Sequence, residues 1–288
     1  ETRKVPTPKG AENIANQLVQ LIEDAQKDHV LRGVGIATAG IVNTETGEVI
    51  GSTGNLPGWA GTPIKKVIES RTGLPVHVDN DANAAAYGEV KAIGLQEKTC
   101  VVAVTLGTGI GGGIIMNGRL YRGAHYAAGE IGHLRANLSN HRLCTCGLFD
   151  CWEAYGSGRG FRATAKELLT NVTVEQSPLA ALLPDPPVDQ VCAAAEQGDI
   201  IAQRIVSIYH EHVCAGIVTL AHTLDPDCFI ISGGMAKFVN YDHLKELVID
   251  RCLPRVGERL DIHRSRLGDD AGIIGAAELA LDHLLRVQ

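Results

Sequence analysis

Apolar residues recur along this chain at two spacings, and the alternation between the two outlines the fold. Ile14, Leu18, Leu21 and Ile22 fall at helical spacing and predict an amphipathic helix, with an apolar strand at Val34 to Ala37 behind it. A loop rich in Gly, Thr and Pro from Gly51 to Gly61 leads to a helix near Ile64 to Ser70 and a short strand at Pro75 to Val78. The polar cluster Asp79, Asn80, Asp81 then opens an alanine-rich helix ending near Gly94, so a carboxylate sits where the helix dipole is positive. The β-branched run Thr99 to Thr105, a glycine-rich turn, a second strand at Gly113 to Met116 and the hairpin dipeptide Asn117-Gly118 predict antiparallel additions. After the cysteine-bearing loop helix prevails, broken at Pro184 to Pro187, and a long helix over Ile200 to Thr223 feeds the apolar strand Cys228 to Ile231. A last helix, Ile273 to Leu285, carries Ile274, Leu279, Leu281 and Leu285 as its apolar face and is expected to fold back onto the first domain. The pattern is α/β with antiparallel additions, and no short-period repeat interrupts it.

Composition narrows the class of protein. At 288 residues and 45% hydrophobic, the chain can bury one large core or two smaller ones, and its length favours two domains. A net charge of −7 without any run of Lys and Arg argues against a nucleic-acid surface, which needs a basic stripe for phosphates. No apolar stretch approaches the roughly 20 residues of a membrane span, and nothing reads as a signal peptide, so the cytoplasm is the expected location.

The densest chemistry lies between Glu130 and Glu153. His133, Cys144, Cys146 and Cys151 are close enough in sequence to close on one tetrahedral ion, and zinc takes thiolate sulfur and imidazole nitrogen in fours. With every position filled by protein, no water is left to activate, which makes the metal a structural clamp. Three reduced thiols in a loop are the plainer alternative. A disulfide fits less well, because Cys100, Cys192, Cys214, Cys228 and Cys252 lie singly in apolar runs and point to a reducing compartment. Glu130 and Glu153 flank the ligands and have no place in the coordination shell.

Three glycine-bearing segments carry further signals. Gly107 to Gly112 formally satisfies the dinucleotide fingerprint, yet the next residues, Gly113 to Met116, read as a strand and not as the helix the fingerprint requires. A glycine hairpin can instead present successive N–H groups, with the Thr105 and Thr108 hydroxyls, to a phosphate tail; a plain tight turn is the alternative. Ser232-Gly233-Gly234 comes after a buried strand and could admit a base or ribose close to the backbone, or simply enter a helix. Gly40, with Gly51 to Gly61, could line a cleft.

Taken together, D-N-D-A-N-A-A-A (Asp79 to Ala86), T-L-G-T-G-I-G-G-G (Thr105 to Gly113), G-E-I-G-H (Gly129 to His133), C-T-C-G-L-F-D-C-W-E (Cys144 to Glu153) and I-I-S-G-G (Ile230 to Gly234) resemble the ROK family of sugar kinases and sugar-responsive repressors. The N-L-P-G-W loop (Asn55 to Trp59) and the W-E-A-Y-G-S-G run (Trp152 to Gly158) look most like its glucokinase branch. The resemblance implies an actin-like ATPase fold, related to ribonuclease H, in two domains, with sugar and ATP meeting in the cleft between them. It also implies phosphorylation of a hexose at the 6-hydroxyl from ATP with Mg2+, glucose foremost, by a dimer or tetramer. The domain layout expected is a small domain of residues 1–79 plus 273–288 and a large domain of residues 80–272 holding the sugar site, zinc loop and nucleotide site. Two alternatives stay open: an N-acylhexosamine kinase, and the core of a sugar-responsive repressor.

By the same resemblance Asp81 is the catalytic base, and Gly40, Asn55, Asn80, Glu130, His133 and Glu153 are sugar contacts. Carboxylates and amides suit this task because each fixes the direction of a hydroxyl, and a hydrogen bond to a charged group is worth roughly 1.5–3 kcal/mol. His133 would hold zinc through one ring nitrogen and face the sugar with the other. Thr105, Gly107, Thr108 and Gly109, with Gly233 and Gly234, are the nucleotide contacts implied.

Two departures from the family pattern stand out. The D-x-G-G-T hairpin that serves ATP and Mg2+ in relatives is not in this sequence. Without it the strand near Val34 is expected to lack neighbours and the chain to bind sugar better than it phosphorylates it. In addition, Asp150 stands where the zinc motif has Gly. If the position is left-handed, a small loss of loop stability is expected, since Asp tolerates that conformation better than most residues.

Overall fold

The computed structural model describes residues 2–51, 56–136 and 142–287. In chain order the elements are α1 (Ala11–Asp28), β1 (Val34–Thr38), β2 (Ile41–Asn43), β3 (Glu48–Gly51), α2 (Ile64–Thr72), β4 (Val76–Asn80) and α3 (Asp81–Ile93). Next come β5 (Cys100–Leu106), β6 (Ile110–Met116), β7 (Arg119–Leu120), α4 (Glu153–Gly156), α5 (Gly158–Leu169), α6 (Val188–Glu196) and α7 (Ile200–Leu224). The chain closes with β8 (Cys228–Ser232), α8 (Tyr241–Arg251), α9 (Pro254–Gly257), β9 (Asp261–Arg264) and α10 (Ala271–Val287). By internal contact these group into two compact units, residues 1–94 with 120–129 and 269–288, and residues 95–119 with 130–268. The grouping differs from the division expected at residue 79, because α3 packs against α10 and carries residues 80–94 with the first unit.

In the first unit β1 and β4 pair in parallel, from Val34 opposite Val76 to Thr38 opposite Asn80, and β2 and β3 form an antiparallel ribbon. The strand near Val34 therefore has a neighbour, contrary to the expectation from sequence. The segment through α2 that links the two strands is long enough for a parallel crossover. Val19, Ile22, Ile36, Val42, Val49, Ile64, Ile68, Val76 and Val78 fill the core, with Trp59 donating its indole N–H to Thr38 Oγ1 at 2.8 Å.

Helix α10 corrects a second expectation. Of the apolar face read from sequence only Leu279 is buried, whereas Ile274, Leu281 and Leu285 are exposed; the buried side is Ala271, Gly275, Ala276, Leu279 and Ala280. The reason is close backbone approach. A Cβ on Gly275 would lie 1.7 Å from the Ala84 carbonyl oxygen, and one on Gly35 would lie 2.0 Å from that of Ala276. Such a contact selects small residues, so residue size misreports which side is inside.

The second unit is a five-stranded sheet in the order β7-β6-β5-β8-β9, with β5 antiparallel to β6 and parallel to β8, and β8 parallel to β9. Val101 to Val104 are all buried, as are Cys228 to Ser232, because these central strands are covered on both faces. Strand β6 begins at Ile110, three residues before the strand read from sequence, since pairing with β5 continues through Thr105–Gly111 and Leu106–Ile110. Only residues 107–109 form the turn. Asn117 and Gly118 both have positive φ, 50° and 71°, as the hairpin dipeptide predicts. Helix α7 covers the sheet with Ile205, Tyr209, Val213 and Ile217.

Within α7, burial and then the nearby Arg142 push His212 down to about 4. The unfolded chain therefore binds a proton at this residue between about 4 and 6.5 that the folded chain refuses, and stability falls as pH drops through that window. Thermal unfolding across pH 4 to 7 should show a loss of up to about 1.4 kcal/mol per pH unit from this group, and His212→Gln should flatten the profile. An unchanged profile in the variant would assign the acid sensitivity elsewhere.

Candidate functional site

In the first unit the D-N-D cluster spans the junction of β4 and α3. Asn80 is the N-cap of α3: its Oδ1 accepts from the Ala82 and Asn83 amides at 2.9 and 3.1 Å, while its Nδ2 donates to the Gly40 carbonyl at 3.0 Å. Gly40 has φ of 105°, and a Cβ there would lie 2.3 Å from the Gly51 carbonyl oxygen, so this backbone contact requires glycine. Two of the residues singled out in sequence are thus in direct contact. Asp81 is the first residue of α3, exposed, with Oδ1 2.9 Å from the Ala82 amide. Asn55 lies outside the described residues.

Asp79, read from sequence only as part of the polar cluster that opens α3, organises this turn. Its carboxylate is buried, accepts from the Asn80 amide at 2.8 Å and the Asn83 side chain at 3.3 Å, and pairs with Arg122 through Nε at 3.0 Å and a second contact from Nη2. Burial alone would raise its pKa, but hydrogen bonds from His77 and Arg122 outweigh it and hold the group below the usual carboxylate range. The partner is 43 residues away in sequence, and no local pattern marks it.

In the second unit the glycine turn and the β8 terminus meet. Thr105 Oγ1 lies 3.1 Å from Ser232 Oγ, the Met235 amide donates to Leu106 O at 2.9 Å, and the Gly158 amide donates to Gly107 O at 2.8 Å. Gly233 has φ of 88°, and a Cβ on it would lie 2.4 Å from Leu106 O, whereas Gly234 faces open space. Within the turn the Gly107 amide is used by Gly109 O and the Ile110 amide by Glu153. Among the described residues the amides of Thr108 and Gly109 have no such acceptor, so the turn offers adjacent N–H groups suited to an anion.

The same unit gathers His133, Cys144, Cys146 and Cys151, whose ligand atoms all lie within 4.8 Å of one another. His133 Nδ1 is 3.8 Å from Cys144 Sγ, and the sulfurs of Cys146 and Cys151 are 3.6 Å apart, too far for a disulfide. Zinc–sulfur bonds near 2.3 Å put the corners of a tetrahedron roughly 3.8 Å apart, so the donor set and its spacing fit zinc. Burial and then the neighbouring thiols push Cys151 up to about 12, which means that a metal must displace its proton. His133 Nε2 points the other way and lies 3.7 Å from Glu130 Oε2.

Trp152, between Cys151 and Glu153, is fully buried and donates its indole N–H to the His212 carbonyl at 2.7 Å. A Cβ on Gly216 of α7 would lie 2.0 Å from the indole ring, so glycine there makes its seat. Glu153 in turn accepts from the Ile110 amide at 3.0 Å, from Arg159 at 2.9 Å and from Thr145 at 3.0 Å.

Asp150 has φ of 62°, the left-handed conformation that its place in the motif suggested. It is buried and accepts the Tyr155 hydroxyl at 2.6 Å and the Arg142 amide at 3.2 Å, neither of which glycine could receive. Asp150→Gly should therefore relax the backbone and still cost stability, about 1–2 kcal/mol, because the Tyr155 hydroxyl loses its partner. Asp150→Ala, which adds backbone strain, should cost more. Equilibrium unfolding of both variants checks the order, and a Gly variant more stable than the parent would refute it.

A sequence profile of the ROK family matches residues 1–283. The chain is 37% identical to a glucokinase of Streptomyces coelicolor, over 97% of this chain and 89% of that protein. Among solved structures, a ROK family glucokinase from Streptomyces griseus in complex with glucose and AMPPNP superposes with a TM-score of 0.75 at 35% identity, covering 96% of this chain and 90% of that one. A ROK hexokinase from Thermus thermophilus superposes at 0.79 and 30% identity, covering 98% and 90%. The actin-like ATPase fold expected from the motifs is therefore the fold of this chain. No helix among the described residues is long and apolar enough to cross a membrane.

Proposed function

The chain belongs to the ROK family, and from that membership we propose that it is an ATP-dependent sugar kinase that phosphorylates a hexose, glucose foremost, at the 6-hydroxyl. The observation that carries this reading is likeness to glucokinases along nearly the whole chain, with the D-N-D turn, the glycine hairpin and the Cys/His loop all present. Asp81 is the base. It takes the proton of the sugar 6-hydroxyl as that oxygen attacks the γ-phosphorus of ATP and the bond to the ADP oxygen breaks. Such a transfer passes through a loose transition state in which positioning and charge neutralisation matter more than basicity, so an exposed carboxylate at a helix start is adequate.

On the family resemblance, Asn80, Glu130, His133 and Glu153, together with Gly40 and Asn55, are the proposed sugar contacts. The phosphate tail, carrying Mg2+, is received by the Thr108 and Gly109 amides with Gly107 and the Thr105 hydroxyl, and Gly233 and Gly234 lie against the base or ribose. His133, Cys144, Cys146 and Cys151 would hold Zn2+, which with four protein ligands would serve as a structural ion, fixing the loop that bears the proposed sugar ligands. A cytoplasmic homodimer or homotetramer is proposed on the family resemblance.

Asp81→Asn should lower phosphorylation of glucose about a thousandfold, the usual scale for a positioned general base, while glucose affinity stays within about twofold. A coupled assay with glucose, mannose, N-acetylglucosamine and N-acetylmannosamine, beside glucose calorimetry on the variant, checks both halves. Undiminished turnover by the variant would remove Asp81 from the chemistry, and preference for an N-acylhexosamine would correct the substrate.

A further inference from the structure

Both oxygens of Glu153 are engaged within the second unit, and one of them is engaged by the turn that offers amides to a phosphate. Oε2 accepts from the Ile110 amide at 3.0 Å, at the point where the 107–109 turn enters β6. It sits so close to the turn that a Cβ on Gly109 would lie 2.0 Å from it. Oε1 is held by Arg159 at 2.9 Å and Thr145 at 3.0 Å, with Cys144 Sγ at 3.3 Å, so the carboxylate spans from the cysteine loop to the glycine turn. Its side chain is only 12% exposed, which strengthens each of these bonds relative to the same bond in water.

Ile110 is a junction on three sides. Its amide goes to Glu153, its carbonyl oxygen lies where a Cβ on Gly132 would come within 2.2 Å, and its side chain lies 3.2 Å from where a Cβ on Gly156 would be. Gly132 belongs to G-E-I-G-H, the stretch that carries Glu130 and His133. The same residue therefore meets the glycine turn, the G-E-I-G-H stretch and both ends of α4.

We infer that Glu153, besides any contact with sugar, is a positioning residue for nucleotide: by fixing the Ile110 amide it sets the orientation of the Thr108 and Gly109 amides that receive phosphate. This rests on the reading of the 107–109 turn as the phosphate site. A residue that served only the sugar would leave nucleotide affinity alone. A residue that orients the turn changes nucleotide affinity with no sugar present.

The test is the affinity of the full 288-residue chain for Mg2+-AMPPNP, measured by calorimetry in the absence of sugar, with hydrogen exchange read at the Ile110 amide. Glu153→Ala should weaken AMPPNP binding about tenfold and speed exchange at Ile110, the scale of one lost charge-assisted hydrogen bond. Glu153→Asp, which keeps the charge but withdraws it by one methylene, should behave like Ala. Glu153→Gln, whose amide oxygen still accepts the Ile110 N–H, should stay within about threefold of the parent. AMPPNP affinity unchanged in both the Ala and the Asp variants, with glucose affinity reduced, would overturn the inference and leave Glu153 a sugar ligand only. A parent chain that binds glucose but no AMPPNP would overturn it at its premise, the phosphate assignment of the turn.

Discussion

The burial of Trp152 is the constraint on which the second unit's chemistry depends. An indole inserted against α7 at Gly216, with its N–H bonded to the His212 carbonyl, cannot move without opening the core, and its two sequence neighbours are the metal-ligand candidate Cys151 and the carboxylate of Glu153. Cys151 is thereby held at the base of the loop, where His133, Cys144 and Cys146 can reach it. Glu153 is aimed at the Ile110 amide. Residues 142–151 expose Leu143, Leu148 and Phe149, and their shape is held by this anchor, by the Asp150–Tyr155 bond, by Arg142 bonded to Glu167 and Thr164, and by the candidate ligand set.

The first unit solves the matching problem with capping and a buried charge pair. Asn80 closes the helix start and touches Gly40 in the same conformation, which leaves Asp81 free to project from the first turn. Asp79 stabilises that turn from beneath because Arg122 neutralises it; a buried carboxylate without such a partner would be strongly unfavourable. Helix α10 packs on the unit through glycine and alanine, so the helix that bears Asp81 is braced by close backbone contact, with Tyr87 and Lys91 of α3 both reaching Asp282 of α10.

Local chemistry is legible in the sequence wherever neighbours in space are neighbours in the chain. The four metal-ligand candidates, the polar opening of α3 at Asp79 to Asp81, the hairpin at Asn117-Gly118 and the continuous apolar strands at β5 and β8 can be read from composition and spacing alone. Pairings across distance cannot. Arg122 with Asp79 and Glu153 with Ile110 have no periodic signature, and short β9, Asp261–Arg264, is too polar to announce itself as an edge strand. The exposed face of α10 misleads a reading by residue size because the contact that matters there selects for small side chains. Asp150 reads in sequence as a tolerated substitute for glycine, whereas in the structure it supplies acceptors that glycine lacks.

In the function proposed here, the sugar ligands sit on a loop that zinc would complete, so occupancy of that site and sugar affinity would be one property. The most direct measurement is glucose calorimetry on the full chain before and after chelation, at a temperature where circular dichroism shows the core still folded. Loss of glucose binding with the core intact, restored by added zinc, is the result predicted. Glucose affinity that persists unchanged in metal-free protein would contradict the account, because the loop would then hold its shape without the ion.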